Sequence, residues 1–394
     1  MKYTGVTARG IITPIFKVGD DLVSNVVDSV INASNNENFN LNDGDIIGIT
    51  EAVLARTQGN YATCEQISSD IKDKFNSEEL GIVFPILSRN RFSILLKAIA
   101  MSTNKLYIQL SYPADEVGNL LVARDIFDKS GVNPYTDSFT EDEFREIFPP
   151  ETTIHRFTGV DYIEFYKTFN PNIEIVFSND PTHILKYTKN VLTCDIHSRS
   201  RSKKLINDAG AYKCFGLDDI LTNPINGSGY NEIYGLLGSN KATENMVKLF
   251  PRNSQTFVED VAALIKNKTN KNIEVLVYGD GGFKDPVGGI WELADPVVSP
   301  GFTKGLIGTP NEIKMKYLAD TELSDFSGEE LIKRMKAKIL EKDSNLYGSM
   351  ASQGTTPRQL TDLLGSLCDL ISGSGDKGTP VVLIQNYFKN YAVE

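Results

Sequence analysis

The stretch Ile273-Glu274-Val275-Leu276-Val277-Tyr278-Gly279-Asp280-Gly281-Gly282 decides the fold class. Its first six residues are a compact apolar run that predicts a buried strand, and the run passes directly into a glycine-rich turn carrying one acid. Upstream, Phe257, Val258, Val261, Ala262, Leu264 and Ile265 recur at helical spacings of three and four, with Ser254 as the expected N-cap. Two more runs have strand size. Residues 45–50, Asp-Ile-Ile-Gly-Ile-Thr, follow the turn Asn42-Asp43-Gly44, and Pro380-Val381-Val382-Leu383-Ile384 follows another helix. That helix has Pro357 in its first turn and Leu360, Leu363, Leu364, Leu367, Leu370 and Ile371 on one face. Ser327-x-x-Glu330 has the form of a capping box and predicts a helix over residues 327–342. Helices and strands alternate without the strict rhythm of a doubly wound sheet, which predicts an α+β fold with at least one mixed sheet.

The chain has 394 residues, enough for two or three domains or for one core carrying a large insertion. With 41% hydrophobic and 23% charged residues it can bury a sizeable core, so a disordered chain is excluded. A net charge of −11 argues against nucleic-acid binding, because phosphate backbones demand a basic excess. Four scattered cysteines make no disulfide framework, no secretory signal opens the chain and no run is long enough to span a bilayer. These features predict a cytoplasmic protein with no membrane partner. Residues 130–190, broken by Asn133-Pro134, Pro149-Pro150, Asn170-Pro171 and Asp180-Pro181 and dense in aromatics, predict a folded, loop-rich insertion.

Several chemistries are absent from the sequence. No Gly-Lys dipeptide supports a P-loop, no GxGxxG follows a strand and no GxSxG elbow occurs. Cys194-x-x-His197 is compact, but with His183 and Cys214 it fits no zinc module. The informative segment is Tyr278 to Gly289: an acid among glycines past a buried strand suits a magnesium or manganese ion on a phosphate, and equally a glycine turn with a capping Asp. Gly373-Ser374-Gly375-Asp376-Lys377-Gly378 repeats the theme, although such loops most often only end helices. Asp115-Glu116 offers paired carboxylates after the strand-like Leu106-Tyr107-Ile108-Gln109, and the run Ser198 to Lys204 reads as a solvated basic loop or an anion clamp. Trp291 and Asp295 either line the site or pack a core, packing being the commoner role of a lone Trp.

Two blocks together resemble the coenzyme F-420 gamma-glutamyl ligases. The first is Thr13-Pro14-Ile15-Phe16-Lys17-x-Gly19-Asp20-Asp21-Leu22 followed by Asp43-Gly44-Asp45-Ile46-Ile47. The second runs from the glycine-to-"SN" loop, Gly235 to Asn240, through Leu249-Phe250-Pro251 and on to Gly373-x-Gly375-x-x-Gly378-x-Pro380, with Asp362 in the place of an "AD" aspartate. The resemblance covers residues 1–84 and 231–394 as a nucleotide-binding core and leaves 85–230 as an inserted substrate or cap region.

The resemblance implies a homodimeric amide ligase that uses GTP or ATP and two divalent ions, Mg2+ or Mn2+, to join L-glutamate to a small-molecule acid through an acyl phosphate. It places Pro14, Ile15, Phe16, Glu51, Arg56, Ser239, Asn240, Gly373, Ser374, Gly375 and Asp376 at the nucleotide, and Asp280, Arg56 and Lys284 at the chemistry. The departures are Glu51-Ala52 for a Ser-Thr pair, Arg56 for a Lys, Leu237 for a metal-binding Asp, an acid shifted by one at Asp280 and Ser374 for an acid. Asp280 and Asp376, with Asp115 and Glu116 from the insertion restoring the missing carboxylates, are the expected metal ligands. Because the insertion faces the substrate, a folate or peptide carboxylate suits the acid as well as an F-420 precursor. A non-catalytic relative that senses a nucleotide or anionic metabolite is the alternative, and a phosphotransferase or hydrolase a third.

Overall fold

In a computed structural model of the chain, which describes every residue except 1, 2, 287, 344, 353–357, 373–376, 391, 393 and 394, the apolar runs Ile46–Thr50 and Glu274–Tyr278 pair in parallel at the centre of a five-stranded mixed sheet. The strand order is Thr7–Ile11, Val381–Gln385, Ile46–Thr50, Glu274–Tyr278, Gly301–Phe302. Alternate residues enter opposite layers, as strand geometry requires. Ile47, Ile49, Val275, Val277 and Leu383 pack against the helices Leu22–Asn36 and Ser254–Thr269, whereas Ile46, Leu276, Tyr278 and Val382 pack against Leu360–Ser372. Both faces are covered, which is why these strands read as unbroken apolar runs.

The register fixes where the site lies. Tyr278 is opposite Thr50, so Glu51 and Gly279 leave the sheet side by side. The antiparallel Val381–Gln385 enters at that same rim, where the Thr50 N–H donates to the Pro380 carbonyl at 3.0 Å. Helix Leu360–Ser372 also ends there.

The second sheet has six strands, in the order Ser138–Thr140, Ile173–Ser178, Lys105–Leu110, Glu79–Val83, Asn190–Thr193, Lys213–Gly216. All but the first are parallel. In chain sequence the parallel strands run outward from Glu79–Val83 on one side and then on the other, which is the doubly wound arrangement. The sequence rhythm conceals it, because two of the strands have only four residues and the connection from Lys105–Leu110 to Ile173–Ser178 carries the proline-broken segment. This sheet spans residues 79–216, so the 84/85 boundary falls just after its first strand. A three-stranded sheet, Asn240–Thr243, Met246–Lys248 and Tyr61–Thr63, lies beside both.

Three local expectations change. Helix Ser254–Thr269 is preceded by Asn253 in the left-handed region at φ +52°, so Ser254 is the first helical residue and not the cap. Ser327 precedes helix Gly328–Leu340, but its side chain makes no capping bond. The basic run is the start of helix Arg199–Asp208, with Arg199 and Lys203 paired to Asp218 at 3.2 and 3.0 Å, so it is no solvated loop. Pro357 lies outside the described residues.

Candidate functional site

At the rim of the five-stranded sheet a cavity of about 510 Å³ is lined by Pro14, Ile15, Phe16, Glu51, Arg56, Asn240 and Asp280, all of them expected from the sequence. Ser372 and the Gly378–Pro380 segment close one side; Gly373, Ser374, Gly375 and Asp376 between them lie outside the described residues. Phe16 is buried and accepts a hydrogen bond on its carbonyl from Arg56 Nε at 2.7 Å. That bond fixes the guanidinium at the cavity wall, and its other nitrogens have no partner among the described residues.

Asp280 sits at the centre of an ion-pair network. Arg91, the residue before helix Phe92–Ala100, reaches across from the six-stranded lobe. It donates from one terminal nitrogen to Asp280 Oδ2 at 2.7 Å and from the other to Asp295 Oδ1 at 2.8 Å. Asp295 Oδ2 accepts the Asp280 N–H at 2.8 Å, and Asp369 Oδ2 accepts the Gly281 N–H at 3.0 Å. Burial and the neighbouring Asp295 push the Asp280 carboxyl up to about 7, with Arg91 offsetting part of that. Burial works against the Arg91 charge, but Asp295 and Asp280 outweigh it and hold the guanidinium more firmly protonated than usual. Burial also raises Asp369.

Gly279 is required here for a different reason from the one the sequence suggests. A Cβ at this position would overlap Asp295 Oδ2 and stand 3.2 Å from its Cγ, so a carboxylate and not a phosphate fills the space. Glu51 is buried and gripped by Lys248 Nζ at 2.6 and 2.9 Å; burial raises its carboxyl and Lys248 opposes the rise.

A larger cavity of about 1330 Å³ opens next door, between the lobes, and shares Arg91, Asn240 and Asp280 with the first. Its walls include Arg89, His155, Phe157, Tyr162, Phe165 and Trp291. Trp291 is 44% exposed and lines this cavity, whereas Asp295 is 1% exposed and belongs to the Arg91 network. Burial and then Arg89 lower the His155 imidazole below its usual range.

Other expected residues are placed elsewhere. Ser239 is buried, and its hydroxyl has no partner among the described residues. Lys284 lies 5.4 Å from the centre of the Trp291 ring. Asp115 accepts the Leu87, Val117 and Asn119 N–H groups and the Asn119 amide at 2.8, 3.1, 2.8 and 2.8 Å, which ties its own loop to the one at Leu87. Burial pushes its carboxyl up to about 6 against those bonds. Glu116 accepts from the backbone of Ile196, His197 and Ser198, at the start of helix Arg199–Asp208. Neither joins Asp280. Sequence reading missed Arg91, Lys248 and Asp369 outright. Asp369 had a faint signal, since it lies two helical turns beyond Asp362 on the same face.

A family model for F420-0:gamma-glutamyl ligase matches residues 10–386. The chain belongs to the F420-0:gamma-glutamyl ligase family. The match runs through both lobes, and the family is one of ligases. No curated protein matches the chain.

The donor chemistry at this rim fits one divalent ion on a bound phosphate. Asp280 Oδ1 and Asp369 Oδ1 are hard oxygens with no donor among the described residues. Among the described residues no three His, Cys, Asp or Glu side chains converge to hold a metal ion. Magnesium is normally held by one or two carboxylates together with substrate phosphates, so that count is sufficient. No helix among the described residues is long and apolar enough to cross a membrane.

Proposed function

We propose that the chain is a nucleotide- and divalent-metal-dependent carboxylate–amine ligase that adds L-glutamate to a small anionic acid. The observation that carries this reading is the junction of two cavities, of about 510 and 1330 Å³, at Arg91, Asn240 and Asp280. The smaller suits a nucleoside triphosphate and the larger an acid with an extended apolar body.

In this reading Arg56 binds phosphate oxygens with its unpartnered nitrogens, and the Gly378–Pro380 backbone closes over them. Asp280 and Asp369 would hold Mg2+ or Mn2+, and an ion there would supply charge neutralisation on the phosphates. The acid carboxylate attacks the γ-phosphorus, the bond to the β-phosphate oxygen breaks, and an acyl phosphate and a nucleoside diphosphate result. The glutamate amine then attacks the acyl carbon, and phosphate leaves with the C–O bond as the amine gives up a proton. No protein nucleophile is required, so positioning and electrostatics supply the catalysis. The family resemblance further supports a homodimer.

The test is release of inorganic phosphate from GTP or ATP with Mg2+, glutamate and a panel of acids, including folates, short peptides and deazaflavin acids. Release that needs both glutamate and an acid supports the ligase. Tight nucleotide binding with no release under any combination favours the sensor alternative, for which Leu237 in place of a metal-binding Asp is the supporting observation.

A further inference from the structure

We propose that Arg91 is the resident cation of the Asp280–Asp295 pair and stands where a divalent ion would otherwise bridge those carboxylates. Asp295 is 1% exposed, and a carboxylate buried that deeply needs a full compensating charge. The Arg91 guanidinium provides it with two prongs, at 2.7 Å to Asp280 and 2.8 Å to Asp295. With the Asp280 N–H on its other oxygen, Asp295 has both oxygens engaged, and a cation bridging the pair would sit against the Arg91 guanidinium and its positive charge.

Arg91 belongs to the six-stranded lobe, and both acids belong to the five-stranded one. Charge neutralisation and lobe contact are therefore a single interaction. Without Arg91 the cleft would present Asp280, Asp295 and Asp369 to an incoming triphosphate with no compensating charge at the pair, and the phosphates would be repelled. With it, one of the two divalent ions implied by the family becomes unnecessary. Only the unpartnered oxygens of Asp280 and Asp369 are left to take an ion, and that ion comes with the nucleotide.

The test uses nucleotide-free full-length protein and Mn2+ alone, followed by electron paramagnetic resonance of the free ion, so it does not depend on ligase activity. Wild type is expected to hold no Mn2+ at the pair, and Asp295→Asn is expected to leave Mn2+ uptake unchanged. Arg91→Gln is expected to gain a single site per chain, and Arg91→Gln with Asp280→Asn to lose it again. A wild-type Mn2+ site weakened roughly tenfold or more by D295N overturns the proposal, that being the penalty usual for losing a metal-site carboxylate. A folded R91Q protein that takes up no more Mn2+ than wild type also overturns it. The wild-type and D295N measurements decide the question even if R91Q fails to fold.

Discussion

Replacing Gly279 with Ala isolates the packing that holds the Asp280 network together. The new Cβ would overlap Asp295 Oδ2 and lie 3.2 Å from Asp295 Cγ, and Asp295 is too deeply buried to swing aside. Rotating its carboxylate away breaks the 2.8 Å bond from the Asp280 N–H and strains the 2.8 Å bond from Arg91. Hydrogen bonds to charged groups contribute about 1.5–3 kcal/mol each, so Gly279→Ala should cost roughly 2–4 kcal/mol. Asp295→Ala removes the obstacle but leaves Arg91 half-paired, at about 3 kcal/mol. In the double variant the methyl has room. Ala for Gly then stabilises by about 0.4–1 kcal/mol through the unfolded chain, and the double variant should be no less stable than D295A alone. Urea unfolding of the four proteins should give a coupling energy of about 2.4–5 kcal/mol. Additive costs, or a G279A protein within about 0.5 kcal/mol of wild type, would refute the packing argument.

Arg56→Ala removes a guanidinium whose one bond among the described residues is to the Phe16 carbonyl, so nucleotide affinity measured by calorimetry should fall about 10–100-fold, while stability changes by about 1 kcal/mol or less. Lys248→Met strips the cation from buried Glu51 and should cost about 3–5 kcal/mol, most of it recovered when Glu51→Gln is added; denaturant midpoints check both. Asp195 is fully buried, its Oδ1 has no hydrogen-bond partner among the described residues and burial pushes its carboxyl up to about 6 from 3.8. The fold therefore favours its protonated form. That stabilisation is complete below the unfolded value and is lost as pH rises through about 4 to 6. Asp195→Asn, which stays neutral, should gain on wild type by about 1.4 kcal/mol between pH 5 and pH 7.5. A pH-independent difference between the two proteins would show that Asp195 is ionised in the fold.

The central strands were legible because burial on both faces leaves an apolar run of strand length, as at residues 46–50 and 274–278. Their pairing was not legible: nothing local says that Tyr278 meets Thr50, yet that register brings Glu51 and Asp280 to one rim. The doubly wound sheet was hidden because two of its strands have only four residues and its rhythm is interrupted by the long aromatic connection between Lys105–Leu110 and Ile173–Ser178.

At the site, Asp280, Asn240, Arg56 and the Pro14–Phe16 segment were readable from loops and from family likeness, and one cavity gathers them. Arg91 was not. Its partners lie 189 and 204 residues away, and just before helix Phe92–Ala100 an arginine looks like any solvated charge. Asp115 and Glu116 had the right chemistry, but the backbone amides beside them claim their oxygens. The glycines around Asp280 read equally as room for a phosphate or as a plain turn, and at Gly279 the group that comes close is the protein's own Asp295.

The most direct test of the ligase reading is a crystal of the protein grown with Mn2+ and a non-hydrolysable GTP analogue. The account expects the phosphates against Arg56 and the Gly378–Pro380 segment, one ion on the oxygens of Asp280 and Asp369, and Arg91 still paired with Asp295. A nucleotide bound away from this rim, or a rim left vacant at saturating nucleotide, would contradict it.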